Sequence, residues 1–459
     1  MPKLTSFRPS LAVLTLSVLA TSSVAAQGKS LAQRLDSVAG GGVANNRAVG
    51  LVAAVVKGSD TLLMKGYGKA DVEWDIAMPT DAMFELGSVT KQFTAVALLQ
   101  LRDQGKLSLD DPITKWLPDF DTRGNSISIR RLLDHTSGMV GITEMPEFGI
   151  LVTNARFPKD SAYALINRTP FQFKTGEMAI YNNSAFILAG FIVEKASGMS
   201  YEDYVEKKLF EPLGMTRSSY CNITENVTHR AHGYMLQRGK TLRAPTNVHT
   251  WPFSAGSLCS TASDMIKWVE GLHSGKVLSP ASYKEFITPS KLNDGTPLRY
   301  SMGIGVGPDA NGQNYIGHGG AIGGFLAEAG WYPDQQMAVV VLMNSNGQQD
   351  PGEVVTALAR EVTGVTPPAG KTFTGDKAPF VGKYTGPSRG RDMTITVTEA
   401  PDGLSFAGDG PQPRVVPWLE GSTFKVGTRV FTFRRTGDSG PYTELRVSAG
   451  AGYYILKRQ

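Results

Sequence analysis

Phe84-Glu85-Leu86-Gly87-Ser88-Val89-Thr90-Lys91-Gln92-Phe93 leads directly into Thr94-Ala95-Val96-Ala97-Leu98-Leu99. The apolar run reads as a helix buried on nearly all sides, with Ser88 and Lys91 in its first turn. Three residues along a helix advance about 4.5 Å and rotate about 300°, so the two side chains share one face. The bland alternative is a helix N-cap serine beside a solvated lysine. The more informative reading is a hydroxyl armed by an amine. A free lysine, with a pKa near 10.4, is almost never neutral at pH 7. Burial and the positive end of a helix both push that value down, and a neutral amine can then take the hydroxyl's proton.

The chain carries its own control for this spacing. Ser422-Thr423-Phe424-Lys425 has the same separation, but within alternating residues that read as a β-strand. Three positions along a strand put two side chains on opposite faces, so this second pair cannot cooperate.

Working outward, the amino terminus has Lys3 and Arg8 before an apolar core, Leu11 to Ala20, and then Val24-Ala25-Ala26 before Gln27. That order is a secretory signal peptide, residues 1–26, with a core too short to span a bilayer comfortably. No cysteine follows it for lipid attachment, and no later stretch is apolar for long enough to cross a membrane. The expected product is periplasmic or secreted. The formal charge of +5 loses two cations with the leader, leaving +3 on a long chain. Such a balance, without a basic stripe, does not suggest nucleic acid as a partner. Cys221 and Cys259 are the sole cysteines. They either pair, as an exported protein permits, or sit as small buried hydrophobes.

The 459 residues are too many for one ordinary domain. A short amphipathic segment, Leu31 to Val38, leads through Gly40-Gly41-Gly42 to a strand at Val52–Val56. Lys57-Gly58-Ser59-Asp60 reads as a hairpin turn, with Thr61–Met64 returning. Helical runs alternate with Gly/Pro loops from about 110 to 290, including a buried helix over Asn182–Val193. Strands follow from Tyr300 to Asn344, among them the fully apolar Met337–Met343, and a closing helix spans Gly352 to Val362. The expected division is a main domain over 27–365, a linker over 366–379 rich in Pro and Gly, and a small antiparallel β domain over 380–459.

A serine–lysine pair needs a second proton shuttle and donors for an oxyanion. Tyr181-Asn182-Asn183 opens the second buried helix, where a hydroxyl could serve a leaving group and an amide could hold a carbonyl. The same triplet could be a mere Asn-capped turn, and Tyr220-Cys221-Asn222 shows how cheap the pattern is. His318-Gly319-Gly320-Ala321 lies in a glycine-dense strand, a place where a ligand's backbone can approach. His229 and His232 have metal-ligand spacing without an obvious third ligand, and His135 reads as a loop-packing residue.

Together, Ser88-x-x-Lys91, Tyr181-x-Asn183 and His318-x-Gly320 resemble, in order and spacing, the penicillin-recognising serine hydrolases. This superfamily includes class C β-lactamases, DD-peptidases, D-aminopeptidases and esterases. Leu132-Leu133-Asp134-His135-Thr136-Ser137-Gly138, Pro212-Leu213-Gly214-Met215 and Ser260-Thr261-Ala262-Ser263-Asp264 extend the resemblance. It implies an α/β (α+β) fold, with an antiparallel sheet flanked by helices plus a helical subdomain. It also implies acylation of Ser88, proton handling by Lys91 and Tyr181, substrate binding by Asn183, His318 and Gly320, and an oxyanion hole from the backbone N–H groups of Ser88 and Ala321. No metal or other cofactor is implied. Class C β-lactamases carry lysine at the position of His318, and a histidine is often uncharged at neutral pH. The expected activity is therefore hydrolysis of a small amide, a short peptide (including D-amino-acid peptides) or an ester. A β-lactamase or a non-turnover sensor of cell-wall fragments is the alternative. Oligomeric state is not legible.

Overall fold

The computed structural model describes residues 29–149, 158–408 and 412–459. The expected leader, 1–26, lies outside the described residues. The centre of the molecule is a seven-stranded antiparallel sheet built from β1 (Gly50–Lys57), β2 (Asp60–Asp71), β3 (Ile76–Ala77), β4 (Gly305–Pro308), β5 (Asn314–Ile322), β6 (Phe325–Tyr332) and β7 (Met337–Met343). Its order is β3-β2-β1-β7-β6-β5-β4, so the first and last parts of the main region meet at its middle. There Leu51 faces Met343 and Lys57 faces Met337 across the β1–β7 ladder.

Period-2 alternation sends side chains to both faces, and both faces are covered, so the central strands are apolar over Leu51–Val56 and Met337–Met343. Leu51, Ala53, Val55, Val339, Val341 and Met343 turn to one face. There they meet α1 (Leu31–Ala44) and α5 (Pro351–Thr363) through Leu35, Ala39, Val355 and Leu358. Val52, Ala54, Val340 and Leu342 turn to the other face and join the core that contains α2 (Thr90–Asp103), α3 (Asn183–Ser197) and α4 (Ala262–His273). Each fully buried Val, Leu or Met side chain among them contributes about 1.5–3 kcal/mol over leaving it exposed. Phe93 of α2 stacks on Trp268 of α4 at 3.8 Å, and Trp268 Nε1 donates to Gln92 Oε1 at 3.2 Å. The buried helix is thus held in both rotation and height.

Three sequence expectations change. The glycines at 40–42 belong to α1, whose start is fixed by a capping box between Ser30 and Gln33. A Cβ at Gly40 would press on the Tyr67 ring and one at Gly42 on the Gln349 side chain, whereas Gly41 faces open space. The strand expected over Thr61–Met64 runs on to Asp71, because β1 pairs with it as far as Gly68 and β3 takes over at Lys69 and Asp71. Ser88 is not in the first turn of α2 but in a 3₁₀ turn, Gly87–Val89, immediately before it. Residues three apart eclipse one another in such a turn, so the pair still meets.

The carboxy-terminal strands are β8 (Gly382–Pro387), β9 (Asp392–Ala400), β10 (Gly403–Ala407), β11 (Arg414–Val416), β12 (Trp418–Glu420), β13 (Thr423–Val426), β14 (Arg429–Arg434), β15 (Glu444–Ala449) and β16 (Gly452–Arg458). They form one antiparallel sheet, ordered β11-β10-β9-β8-β16-β15-β14-β13-β12, that curls into a near-barrel. Phe380, Tyr384, Phe406, Phe424 and Phe433 fill it, with Phe380 and Phe433 edge to face at 5.0 Å. Within the expected linker, Lys371 already bridges Trp418 and Phe373 packs on Phe424. The near-barrel also grips the main region. Ala179 and Tyr453 exchange backbone hydrogen bonds of 3.1 and 2.7 Å, two residues before Tyr181.

Cys221 and Cys259 are joined as a disulfide. Among the described residues, no helix is long and apolar enough to cross a membrane.

Candidate active site

Ser88 stands where the 3₁₀ turn comes up against β5. Gly87 has φ +51°, and a Cβ there would meet the backbone of Ala321 at 2.9 Å. A Cβ at Gly320 would meet the carbonyl oxygen of Leu86 at 1.9 Å. These two glycines therefore allow turn and strand to touch, which places the backbone of Ala321 beside that of the Ser88 turn.

Lys91 follows within α2 and is wholly buried, at 0 % exposure. Its Nζ lies 3.0 Å from Ser88 Oγ, 2.8 Å from Asn183 Oδ1 and 2.8 Å from the carbonyl of Ala255. The short helix Phe253–Gly256 that supplies this carbonyl is held in turn by Thr94, which donates to Ser254 O at 2.6 Å. Burial drives the lysine's pKa well below its usual value, and the Arg389 guanidinium adds to the effect while Glu144 opposes it. A neutral amine has two N–H groups and one lone pair. Three neighbours suit it well: two carbonyl-type oxygens accept, and the serine hydroxyl faces the lone pair.

Tyr181 donates to Ser88 Oγ at 2.6 Å. Burial raises its pKa strongly, so the phenol keeps its proton. Asn182, not Asn183, caps α3, accepting from the N–H of Ala185 at 3.1 Å. The capping role left open for this triplet thus falls on the middle residue, and Asn183 is released to face Lys91. Its Nδ2 lies 3.4 Å from Thr143 Oγ1.

His318 is buried, with its ring 6.3 Å from that of Tyr181. Its Nδ1 donates to Gly319 O at 2.5 Å, so its Nε2 accepts from the Tyr300 hydroxyl at 2.9 Å. Burial, reinforced by Lys91, lowers its pKa to about 3. His318 is accordingly neutral, with both nitrogens committed. His135 is fully buried against Tyr181 at 4.5 Å, and its Nδ1 accepts the N–H of Asn182 at 3.1 Å. Burial also holds its pKa well down.

An apolar cavity of about 560 Å³ opens on one side of Ser88, lined by Asn183, Phe148, Trp251 and Ile322. A larger one of about 1010 Å³ lies toward the other end of the same strand, between His318, Tyr181 and the near-barrel. The remaining sequence candidates lie apart. Ser422 donates to Phe433 O at 2.9 Å, and Tyr220 donates to His249 O at 2.7 Å. His229 pairs with Asp81, while His232 faces Asp71 beside Glu73, in a cluster outside the cleft.

A family model described as Beta-lactamase matches residues 35–363. The chain belongs to the beta-lactamase family. Penicillin-binding protein 4* of Bacillus subtilis is 27% identical over 325 residues, covering 67% of this chain and 70% of that protein. A D-stereospecific amidohydrolase from Streptomyces sp. superposes with a TM-score of 0.63 at 26% identity, over 72% of this chain and 98% of its own. The octameric penicillin-binding protein homologue from Pyrococcus abyssi has a TM-score of 0.65 at 23% identity, over 92% of this chain and 99% of its own. This last likeness shows the fold alone, and it extends past the end of the family match.

In this beta-lactamase family member, sequence reading missed the part played by four residues. Ala255 offers only a backbone oxygen, which no motif records. Glu144 and Arg389 meet at the cleft from positions 245 residues apart, with Arg389 Nη2 2.7 Å from Glu144 Oε1. His135 was placed in a landmark motif and read as loop packing, and only its contact with Tyr181 reveals its place at the site.

Proposed function

We propose that the protein is an exported serine acyl-hydrolase, opening a small amide, short peptide or ester through an acyl-Ser88 intermediate. The observation that carries this reading is Lys91, wholly buried and hydrogen-bonded to the Ser88 hydroxyl. Ser88 Oγ attacks the substrate carbonyl carbon as its proton passes to the neutral Nζ of Lys91. Tyr181 remains a phenol and so serves as the acid, giving its proton to the departing nitrogen or oxygen and recovering one from Lys91. The backbone N–H groups of Ser88 and Ala321 hold the oxyanion. Asn183 steadies Lys91 through Oδ1 and turns its amide toward the substrate. Water then attacks the acyl carbon, Lys91 takes its proton, and Ser88 Oγ leaves with a proton restored.

His318 contributes shape and a fixed hydrogen bond to Tyr300 rather than charge. A β-lactam carboxylate therefore finds no cation on β5, which favours the amidase, peptidase and esterase readings. The disulfide between Cys221 and Cys259 supports export, because such bonds persist in oxidising compartments.

Exposure to a fluorophosphonate followed by weighing of the intact protein tests the nucleophile. A single adduct is expected in the native chain and none in Ser88→Ala. A native chain that takes no adduct ends the reading. Turnover of p-nitrophenyl esters, D-amino-acid p-nitroanilides and nitrocefin then ranks the substrates.

A further inference from the structure

The hairpin between β8 and β9, Ser388-Arg389-Gly390-Arg391, reaches from the near-barrel onto the catalytic cleft. The Arg389 guanidinium lies over the Tyr181 ring, 5.1 Å from its centre. Lys91 Nζ is 4.8 Å from the centre of that ring, and the ring's hydroxyl is on Ser88. Arg389 is thus separated from the nucleophile by the width of one tyrosine.

Its placement is over-determined. Nε and Nη2 both donate to Glu144 Oε1, at 3.0 and 2.7 Å. The other oxygen of Glu144 accepts from Thr143 Oγ1 at 2.8 Å. Gly390 has φ +71°, and a Cβ there would meet Glu144 Cβ at 3.0 Å, so the hairpin is pressed against the 141–144 turn. Exposure within the pair is unequal: the Glu144 side chain is 8 % exposed and that of Arg389 44 %. The acid is a buried anchor, and the guanidinium is what solvent meets. A guanidinium has five N–H donors in a planar fork, so engaging one carboxylate oxygen leaves donors for a second anion.

Polarity along the cleft indicates what that anion belongs to. The cavity that opens beside Asn183 is apolar and suits the acyl portion of a substrate. Tyr181, placed to protonate the leaving atom, marks the opposite side, and Arg389 lies on it. Burial pushes the pKa values of Lys91, His135 and His318 down and so disfavours their cationic forms, and although Arg299, Arg360 and Arg429 line the larger cavity, it is the Arg389 guanidinium that lies over the Tyr181 ring.

We propose that Arg389 is a specificity-determining residue supplied by the carboxy-terminal near-barrel, where it binds an acidic group on the leaving-group side of the substrate. The inference rests on the serine acyl-hydrolase reading above. Glu144 is then a positioning residue that aims the fork, and the near-barrel is a working wall of the site as well as an attached module.

Two thioester probes of one acyl group test it in the full-length protein: benzoylglycyl thioglycolate, whose leaving group carries a carboxylate, and the corresponding uncharged thioglycolamide. The native enzyme is expected to favour the acid about 10- to 100-fold in kcat/KM, the range of a charge-assisted hydrogen bond, mainly through KM. Arg389→Gln is expected to abolish the preference, leaving acid and amide with equal kcat/KM at every pH. Arg389→Lys should keep part of it, since charge survives without the fork. Glu144→Gln, which frees the fork from the group that aims it, should change the ratio of KM values for acid and amide, whereas the native ratio retained would show that Glu144 does not position Arg389. Equal handling of the two probes by the native enzyme, or an acid preference that survives Arg389→Gln, overturns the proposal. Fluorophosphonate labelling of Ser88 in each variant separates the two levels. Normal labelling with a lost preference locates the change in recognition, whereas a native chain that neither labels nor turns over either probe removes the underlying hydrolase reading and this proposal with it.

Discussion

Ser88-x-x-Lys91 and Ser422-x-x-Lys425 share a spacing and nothing else. The first spans a 3₁₀ turn and the start of α2, and its two polar atoms meet at 3.0 Å under a layer of apolar helices. The second sits at β13, where the hydroxyl of Ser422 is spent on the carbonyl of Phe433 across the ladder. Lys91 is wholly buried and burial drives its pKa well below the usual value, whereas Lys425 is only partly buried and its pKa is lowered. A sequence motif therefore becomes chemistry through backbone geometry and desolvation, and one chain displays both outcomes.

The sharpest way to break the comparison is to remove each serine and each lysine. Ser88→Ala or Lys91→Met should lower kcat by about 10³ or more, as in coupled nucleophile–base sites generally. Assays of purified variants with a p-nitrophenyl ester decide it, and a Lys91→Met enzyme of near-native rate would show that the amine is not the base.

The second prediction concerns pH. A lysine whose pKa is depressed is protonated and inactive only at low pH. The rate kcat/KM should therefore rise with pH through a limb well below 10.5, where an ordinary lysine would place it. Arg389→Gln removes a cation that favours the neutral amine, so the limb should move to higher pH. Glu144→Gln should move it lower. His135, His318, Tyr181 and Ser88 also face this amine, but the histidines are already neutral and the phenol stays protonated in the range measured. A pH–rate profile of the three proteins checks direction as well as position.

Gly320→Ala probes the contact that Ser422 lacks. Its methyl group would have to displace the Leu86 carbonyl, at a cost of about 1–3 kcal/mol in urea-unfolding stability, with slower acylation of Ser88. Unchanged stability would mean that turn and strand are not in contact. The smallest effect is expected from Ser422→Ala. It loses one half-buried hydrogen bond, about 0.5–1.5 kcal/mol, and no activity.

Much of this was legible beforehand, for identifiable reasons. Met337–Met343 announces a strand buried on both faces because seven consecutive apolar residues leave no side for water. The α3 helix and the closing α5 helix are likewise visible in their apolar runs, and the structure adds their caps, Asn182 and Asp350. The turn type at Ser88 was not legible. Whether a chain closes with three or four residues per turn depends on what it must touch, and β5 is more than 200 residues away. The extension of α1 through three glycines was missed because propensity penalises glycine in a helix, while packing against β2 and Gln349 favours it.

The sequence by itself determined the layers of the fold, the family and the identity of Ser88, Lys91, Tyr181 and Asn183 as one constellation, because periodicity and local motifs are properties of neighbouring residues. Only the tertiary structure decided that Lys91 is dry, that His318 is committed to Tyr300, and that Arg389 stands over Tyr181. Desolvation and through-space charge depend on distances that chain separation does not encode.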